Sequence, residues 1–248
     1  ILNAVKTEGD IALRRFEKQF DKVELGELCV SPQEYEDSDR LVSRQLKKAI
    51  GTAKENIDKF HRAQLFSPLR METSPGVVCE QRAVPIDCVG LYVPGGTAPL
   101  FSTVLMLAIP AKIAGCRTIV LCTPPNAEGK VHPAILFAAK LCGVTHIYKV
   151  GGAQAIAAMT YGTESVPKVD KIFGPGNQYV MAAKQLATLD NVAIDMPAGP
   201  SEVQVLADST AIPAFVAADF LSQAEHGADS QSVLVTTSRK LFDTIEEE

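Results

Sequence analysis

His146-Ile147-Tyr148-Lys149-Val150-Gly151-Gly152-Ala153-Gln154-Ala155-Ile156-Ala157 is the stretch that decides the fold. Residues 146–150 are a short run with β-branched and aromatic side chains bounded by glycines, as a strand is. Two glycines end that run. An alanine-rich helical segment follows over 153–159. A strand that turns through glycine directly into a helix is half of a β–α–β unit.

The unit recurs on both sides. Upstream, the sequence predicts a strand over 89–93 ending in Pro94-Gly95-Gly96, and a helix over 103–114 closed by Gly115. It then predicts a strand over 118–122 and a helix over 133–141 closed by Gly143. Downstream come a strand over 171–173 ending in Gly174-Pro175-Gly176, a helix over 177–187, and strands over 192–195 and 202–207. A helix over 213–226 with Pro in its first turn, a strand over 232–236 and a helix begun at Arg239 complete the pattern. Repeated strand–turn–helix units specify an α/β protein with a parallel sheet covered on both faces. Residues up to about Arg70 read as mostly helical, with apolar residues three and four apart. A β-like region over 76–80 and 83–93 follows, interrupted by Pro85.

Ligands of such sheets bind at the carboxyl ends of the strands. Those ends carry residues 92–96, 151–154, 174–177 and 197–201. Glycine lets a ligand approach the backbone, and a following helix offers free N–H groups to an anion. Gln154 and Asn177 each open a helix, so their amides are expected to point into one crevice. No loop has the G-x-G-x-x-G or Walker A spacing, so a nucleotide-like ligand is suggested without its usual fingerprint.

Leu221-Ser222-Gln223-Ala224-Glu225-His226-Gly227 places an amide oxygen and an imidazole three residues apart near a helix end. Residues at that spacing share one helix face. A metal ion is the natural point of convergence, because imidazole is the commonest metal ligand and the helix terminus favours a cation. Two donors do not complete a site, and the same pair would also suit a solvated helix end.

Composition narrows the classes. The chain has 248 residues and a formal net charge of -5, which disfavours a sequence-independent grip on nucleic acid. No apolar run reaches membrane-spanning length; the longest, near 104–114, is interrupted by Pro110 and Lys112. None of the six cysteines forms a C-x-x-C pair, which fits free thiols in a reducing compartment. The sequence opens at Ile1 and stops at Glu248 inside amphipathic helical patterns, without a signal-peptide pattern. An internal piece of a longer protein is therefore expected.

Five segments together, 89–96, 150–157, 173–177, 195–202 and 222–227, closely resemble the histidinol dehydrogenase family, in order along the chain. The resemblance implies two Rossmann-like parallel-sheet domains of aldehyde-dehydrogenase-like architecture. The first would be discontinuous and incomplete, formed by 1–91 plus 200–248; the second, NAD-contacting, would be 92–199. It assigns Tyr92, Gln154 and Asn177 to NAD, Ser201 to the substrate, and Gln223 and His226 to zinc as well as to the substrate. It implies one zinc per subunit of a homodimer, the site completed by residues outside this segment and by the partner subunit. The family's catalytic Glu–His pair also lies beyond Glu248, so no catalytic residue is assigned here and the segment alone is expected to be inactive. The implied reaction is oxidation of L-histidinol to L-histidine through histidinal, with two NAD+ reduced. A cytoplasmic location is implied, or a plastid one in a plant, with neither nucleic acid nor membrane as partner. The alternatives are a non-catalytic ligand-binding relative and another aldehyde-dehydrogenase-like oxidoreductase. The latter is marked by a nucleophilic cysteine in a glycine-rich loop, and no cysteine here sits in one.

Overall fold

The computed structural model describes residues 1–95, 99–197, 202–224 and 230–247. The chain divides into two compact units, Ile1–Pro197 and Ala198–Glu248.

The first unit begins with α1 (Leu2–Glu8) and α2 (Asp10–Phe16), separated by Gly9. One turn of π-helix, Glu17–Asp21, extends α2 and ends at Lys22 in the left-handed conformation. Next come α3 (Pro32–Leu41) and α4 (Arg44–Arg62), capped by the Ser31 and Ser43 hydroxyls on the N–H groups of Glu34 and Leu46. An antiparallel ribbon follows, β1 (Leu69–Ser74) and β2 (Val77–Gln81), turned at Gly76 and exposed along its whole length. Strand β1 is not anticipated by the sequence reading: Leu69-Arg70-Met71-Glu72 alternates apolar with charged residues over only four positions, directly after the helical pattern.

The remaining elements of this unit are β3 (Cys88–Tyr92), α5 (Phe101–Ala114), β4 (Thr118–Thr123), α6 (Pro133–Leu141), β5 (His146–Lys149), α7 (Gly152–Tyr161), β6 (Lys171–Phe173), α8 (Gln178–Ala187) and β7 (Ala193–Ile194). The five strands form one parallel sheet in the order β5-β4-β3-β6-β7. The expected alternation is therefore present. Gly115 takes the left-handed conformation that closes α5, and Asn177 caps α8.

Side chains alternate across the sheet. Val120 and Cys122 of β4 enter one core with Val5, Leu13, Phe16, Ile156 and Met159. Ile119 and Leu121 enter the other with Ile50, Leu91, Leu105 and Leu136. The N-terminal helices thus contribute to the cores on both faces of this sheet. Each fully buried large aliphatic side chain contributes roughly 1.5–3 kcal/mol. Strand β3, at the 91/92 boundary expected between domains, is the central strand of the sheet. From it the chain winds outward through β4 to β5, then returns to the other side of β3 for β6 and β7. The order reverses between β3 and β6, which makes their carboxyl ends the crevice where ligands of doubly wound sheets bind.

The second unit holds a parallel pair, β8 (Glu202–Ala207) and β9 (Gln231–Thr236), with α9 (Pro213–Ala224) and α10 (Arg239–Glu247). Helix α9 packs on both strands and on α10, burying Val216, Ala217 and Leu241. Among the described residues no helix is long and apolar enough to cross a membrane.

Candidate functional site

The loops after β3, β5, β6 and β7 all lie at the carboxyl edge of the five-stranded sheet, and buried polar side chains tie them together. Tyr92, the last residue of β3, is buried, and its Oη accepts a hydrogen bond from the Gly152 N–H at 3.0 Å. Burial raises its phenol pKa well above the ordinary value. The end of β3 is thereby fixed to the start of α7.

Gln154, in the first turn of α7, is also buried. Its Nε2 donates to Glu17 Oε1 at 3.0 Å, and the Gly151 N–H donates to the same oxygen at 3.1 Å. The amide expected in the crevice is thus turned inward, because a buried carboxyl from the π-turn after α2 offers it an acceptor. Its oxygen lies over Gly152, where an added Cβ would come within 2.8 Å; Gly152 also has φ +56. Glu17 is completely buried, and burial, reinforced by the neighbouring Asp21, raises its pKa well above the carboxylate range. Burial raises Asp21 as well.

Asn177 is exposed, and its Oδ1 accepts from the N–H groups of Tyr179 and Val180 at 3.1 Å each. It is the N-cap of α8, so the Gln154 and Asn177 amides are engaged separately. Behind Asn177, Lys184 of α8 is buried. Its Nζ donates to the Gly174 carbonyl at 2.8 Å and to the Met196 carbonyl at 3.3 Å, and it forms an ion pair with Asp195. Asp195 Oδ2 in turn accepts from the Gly174 N–H at 2.9 Å. A Cβ on Gly174 would meet the Tyr92 carbonyl oxygen at 2.1 Å, so the ends of β3 and β6 approach as closely as backbone allows.

In the second unit, Gln223 is buried in the last described turn of α9. Ser201 and His226 lie outside the described residues. Among the described residues no group of three or more His, Cys, Asp or Glu could hold a metal. An amide oxygen near a helix carboxyl terminus suits one position of a cation site, so Gln223 fits part of a metal site and not a whole one. The other histidines are engaged elsewhere: His61 packs edge-on against Phe60, and His132 Nδ1 caps α6 through the Ala134 N–H. His146 is exposed at the start of β5. All six cysteines are free; Cys122 and Cys142 are buried, and Cys29 and Cys79 are exposed.

Glu17, Asp21, Lys184 and Asp195 do not stand out as site residues in the sequence. A signal existed for two of them. Glu17 follows Leu13 by four residues and Lys184 follows Val180 by four, so each charge stands on the apolar stripe of its helix.

The same residues stand within a known framework. A sequence profile of histidinol dehydrogenase matches residues 1–248. The chain belongs to the histidinol dehydrogenase family. It is 65% identical to histidinol dehydrogenase of Bacteroides thetaiotaomicron over 248 residues, covering all of this chain and 58% of that protein. It is 56% identical to that of Salmonella typhimurium over 252 residues, covering 99% of this chain and 57% of that one. The crystal structure of histidinol dehydrogenase from Elizabethkingia anophelis superposes with a TM-score of 0.90 at 56% identity, over 98% of this chain and 56% of that one. A putative aldehyde dehydrogenase from Anabaena variabilis superposes with a TM-score of 0.52 at 15% identity, over 87% of this chain and 49% of that one, and shares the fold. The chain thus spans a little over half the length of the family members it matches.

Proposed function

We propose that the complete protein is an L-histidinol dehydrogenase, oxidising L-histidinol to L-histidine through histidinal while reducing two NAD+, as a homodimer in the cytoplasm. Family membership over the whole chain, at 65% identity to a histidinol dehydrogenase, carries this conclusion. Tyr92, Gln154 and Asn177 are assigned to NAD; Tyr92 ends β3, where the strand order reverses, Gln154 lies in the first turn of the helix after β5, and Asn177 caps the helix after β6. Ser201 is assigned to the substrate. Gln223 and His226 would hold one zinc per subunit and lie against the substrate, the remaining ligands coming from residues outside this segment and from the partner subunit. Zinc, when bound, orients the substrate through its imidazole and amino nitrogens. For the complete protein the proposed domains are 1–91 plus 200–248, and 92–199. Neither nucleic acid nor membrane is proposed as a partner.

The decisive assay is NADH formation from L-histidinol and NAD+ by the full-length enzyme. About two NADH per histidine are expected, with no turnover by residues 1–248 alone and loss of metal and turnover in His226→Ala. A full-length protein that binds these ligands without turnover would be a non-catalytic relative, and the assignment would fall.

A further inference from the structure

Glu17 and Asp21 are one helical turn apart on the π-turn, beneath the Gly151-Gly152 turn. Glu17 Oε1 is saturated by the Gly151 N–H and by Gln154 Nε2. Glu17 Oε2 is buried and has no hydrogen-bond donor among the described residues. The half-buried Asp21 carboxyl, one turn on, is its titrating neighbour, and each of the two influences the other's ionisation. Asp21 also closes on the turn: a Cβ on Gly151 would lie 3.4 Å from its Oδ2. Two ionised carboxylates only accept hydrogen bonds, so they cannot bond each other unless one carries a proton.

Among the described residues, the other groups facing this pair supply no positive charge. Tyr92 of β3 and Cys122 of β4 are the titratable neighbours, both buried, and α7 contributes only amides. The nearest cations on the turn are engaged elsewhere, Lys18 with Glu24 and Lys22 with the Gln19 carbonyl. Like charges that cannot be neutralised by a cation are relieved by sharing a proton.

We propose that Glu17 and Asp21 share one proton, carried on Glu17 Oε2, and act as the positioning pair of the cofactor crevice. Glu17 holds the Gln154 amide in one orientation and pins the Gly151 N–H, while Tyr92 Oη holds the next N–H of the same turn. The proton removes one of two negative charges from the start of α7, where an anionic dinucleotide would otherwise be repelled. The inference rests on the assignment of Tyr92 and Gln154 to NAD.

The test uses the full-length enzyme and follows the KM for NAD+ and kcat against pH. Glu17→Gln reproduces the protonated acid, with an acceptor for Gly151 and Gln154 and a donor for Asp21. It should keep a near-normal KM, whereas Glu17→Ala should raise KM about tenfold, the order of one lost buried hydrogen bond, with kcat little changed. The wild-type KM should rise at alkaline pH as the shared proton leaves, and the Glu17→Gln profile should be flat. Independently of activity, infrared spectroscopy of the wild type at pH 7 should show the carbonyl stretch of an un-ionised carboxylic acid that Glu17→Gln lacks. Absence of that band, or a Glu17→Gln enzyme as impaired as Glu17→Ala, overturns the proposal. If Gln154→Ala weakens NAD+ while Glu17→Gln and Glu17→Ala both leave its KM and pH profile unchanged, this proposal alone fails. If Gln154→Ala also leaves NAD+ binding unchanged, the cofactor assignment fails and the proposal with it.

Discussion

Buried Lys184 of α8 forms an ion pair with exposed Asp195 beyond β7, and the remaining hydrogen bonds of the two tie down strand-end loops: Lys184 bonds the carbonyls of Gly174 and Met196, and Asp195 the N–H of Gly174. The pair therefore fixes the loop after β6 against the loop after β7. Removing Asp195 leaves the buried Lys184 ammonium without its counter-charge, whereas removing Lys184 leaves an Asp195 that water still reaches. Asp195→Asn should therefore cost about 3 kcal/mol, the low end of the range for breaking a buried pair, because Lys184 keeps its two carbonyl acceptors. The double variant Lys184→Met/Asp195→Asn should recover part of that loss. Urea unfolding of the single and double variants measures both.

Among the described glycines of the crevice, Gly174 should be the least substitutable. Its φ is +132, and an added Cβ would lie 2.1 Å from the Tyr92 carbonyl, a backbone atom that cannot step aside. Gly174→Ala should cost upwards of about 3 kcal/mol and lower the melting temperature by roughly 10 °C. Gly51 provides the opposite case. It lies inside α4 with nothing within 4 Å of an added methyl, so Gly51→Ala should stabilise by up to about 1 kcal/mol. Thermal melts of the two variants moving in opposite directions would verify both.

The sheet was legible because β3, β5 and β6 are short runs that each lead through a glycine turn into a helix of different period. Strand β1 was not, since the apolar–charged alternation of Leu69, Arg70, Met71 and Glu72 is only four residues long and all four are exposed. The crevice was legible as a set of loops and less so as a set of contacts. Tyr92, Gln154 and Asn177 could be placed at strand ends or helix starts, but the direction of the Gln154 amide depends on Glu17, 137 residues away in sequence. Long-range partners of that kind leave only an indirect trace, a charge standing where the helical period requires an apolar residue. Glu17 and Lys184 both show that trace.

The proposed NAD contact would give Asn177 a second role, which substitution can separate from its cap. Its Oδ1 caps α8, and its Nδ2 is the group left for a ligand. Asn177→Ala should lose about 1 kcal/mol of stability with the cap and weaken NAD+ binding as well. Asn177→Asp keeps a capping oxygen and adds a charge favourable to the helix start, so its melting temperature should stay near wild type. Its KM for NAD+ should nonetheless rise, because the amide donor is gone and a negative charge faces an anionic ligand. Equal KM values for Asn177→Asp and wild type would remove Asn177 from the cofactor site.

Stability should depend on pH through Glu17. Its folded-state pKa is raised above the ordinary 4.5, chiefly by burial and then by Asp21, so the folded state holds that proton more tightly than the unfolded chain. This contribution is therefore fully present below about 4.5 and is lost as pH rises through the folded value. Asp10 acts in the other direction. Burial opposes its ionisation, but hydrogen bonds from Ser165 and Thr163 prevail and lower its pKa below 3.8. Its contribution is present above 3.8 and lost as pH falls through the lowered value. Urea midpoints should therefore decline on the alkaline side in the wild type. Glu17→Gln, which cannot ionise, should hold its midpoint across that range while keeping the acid-side decline; an unchanged alkaline slope in Glu17→Gln would place the responsible proton on another group.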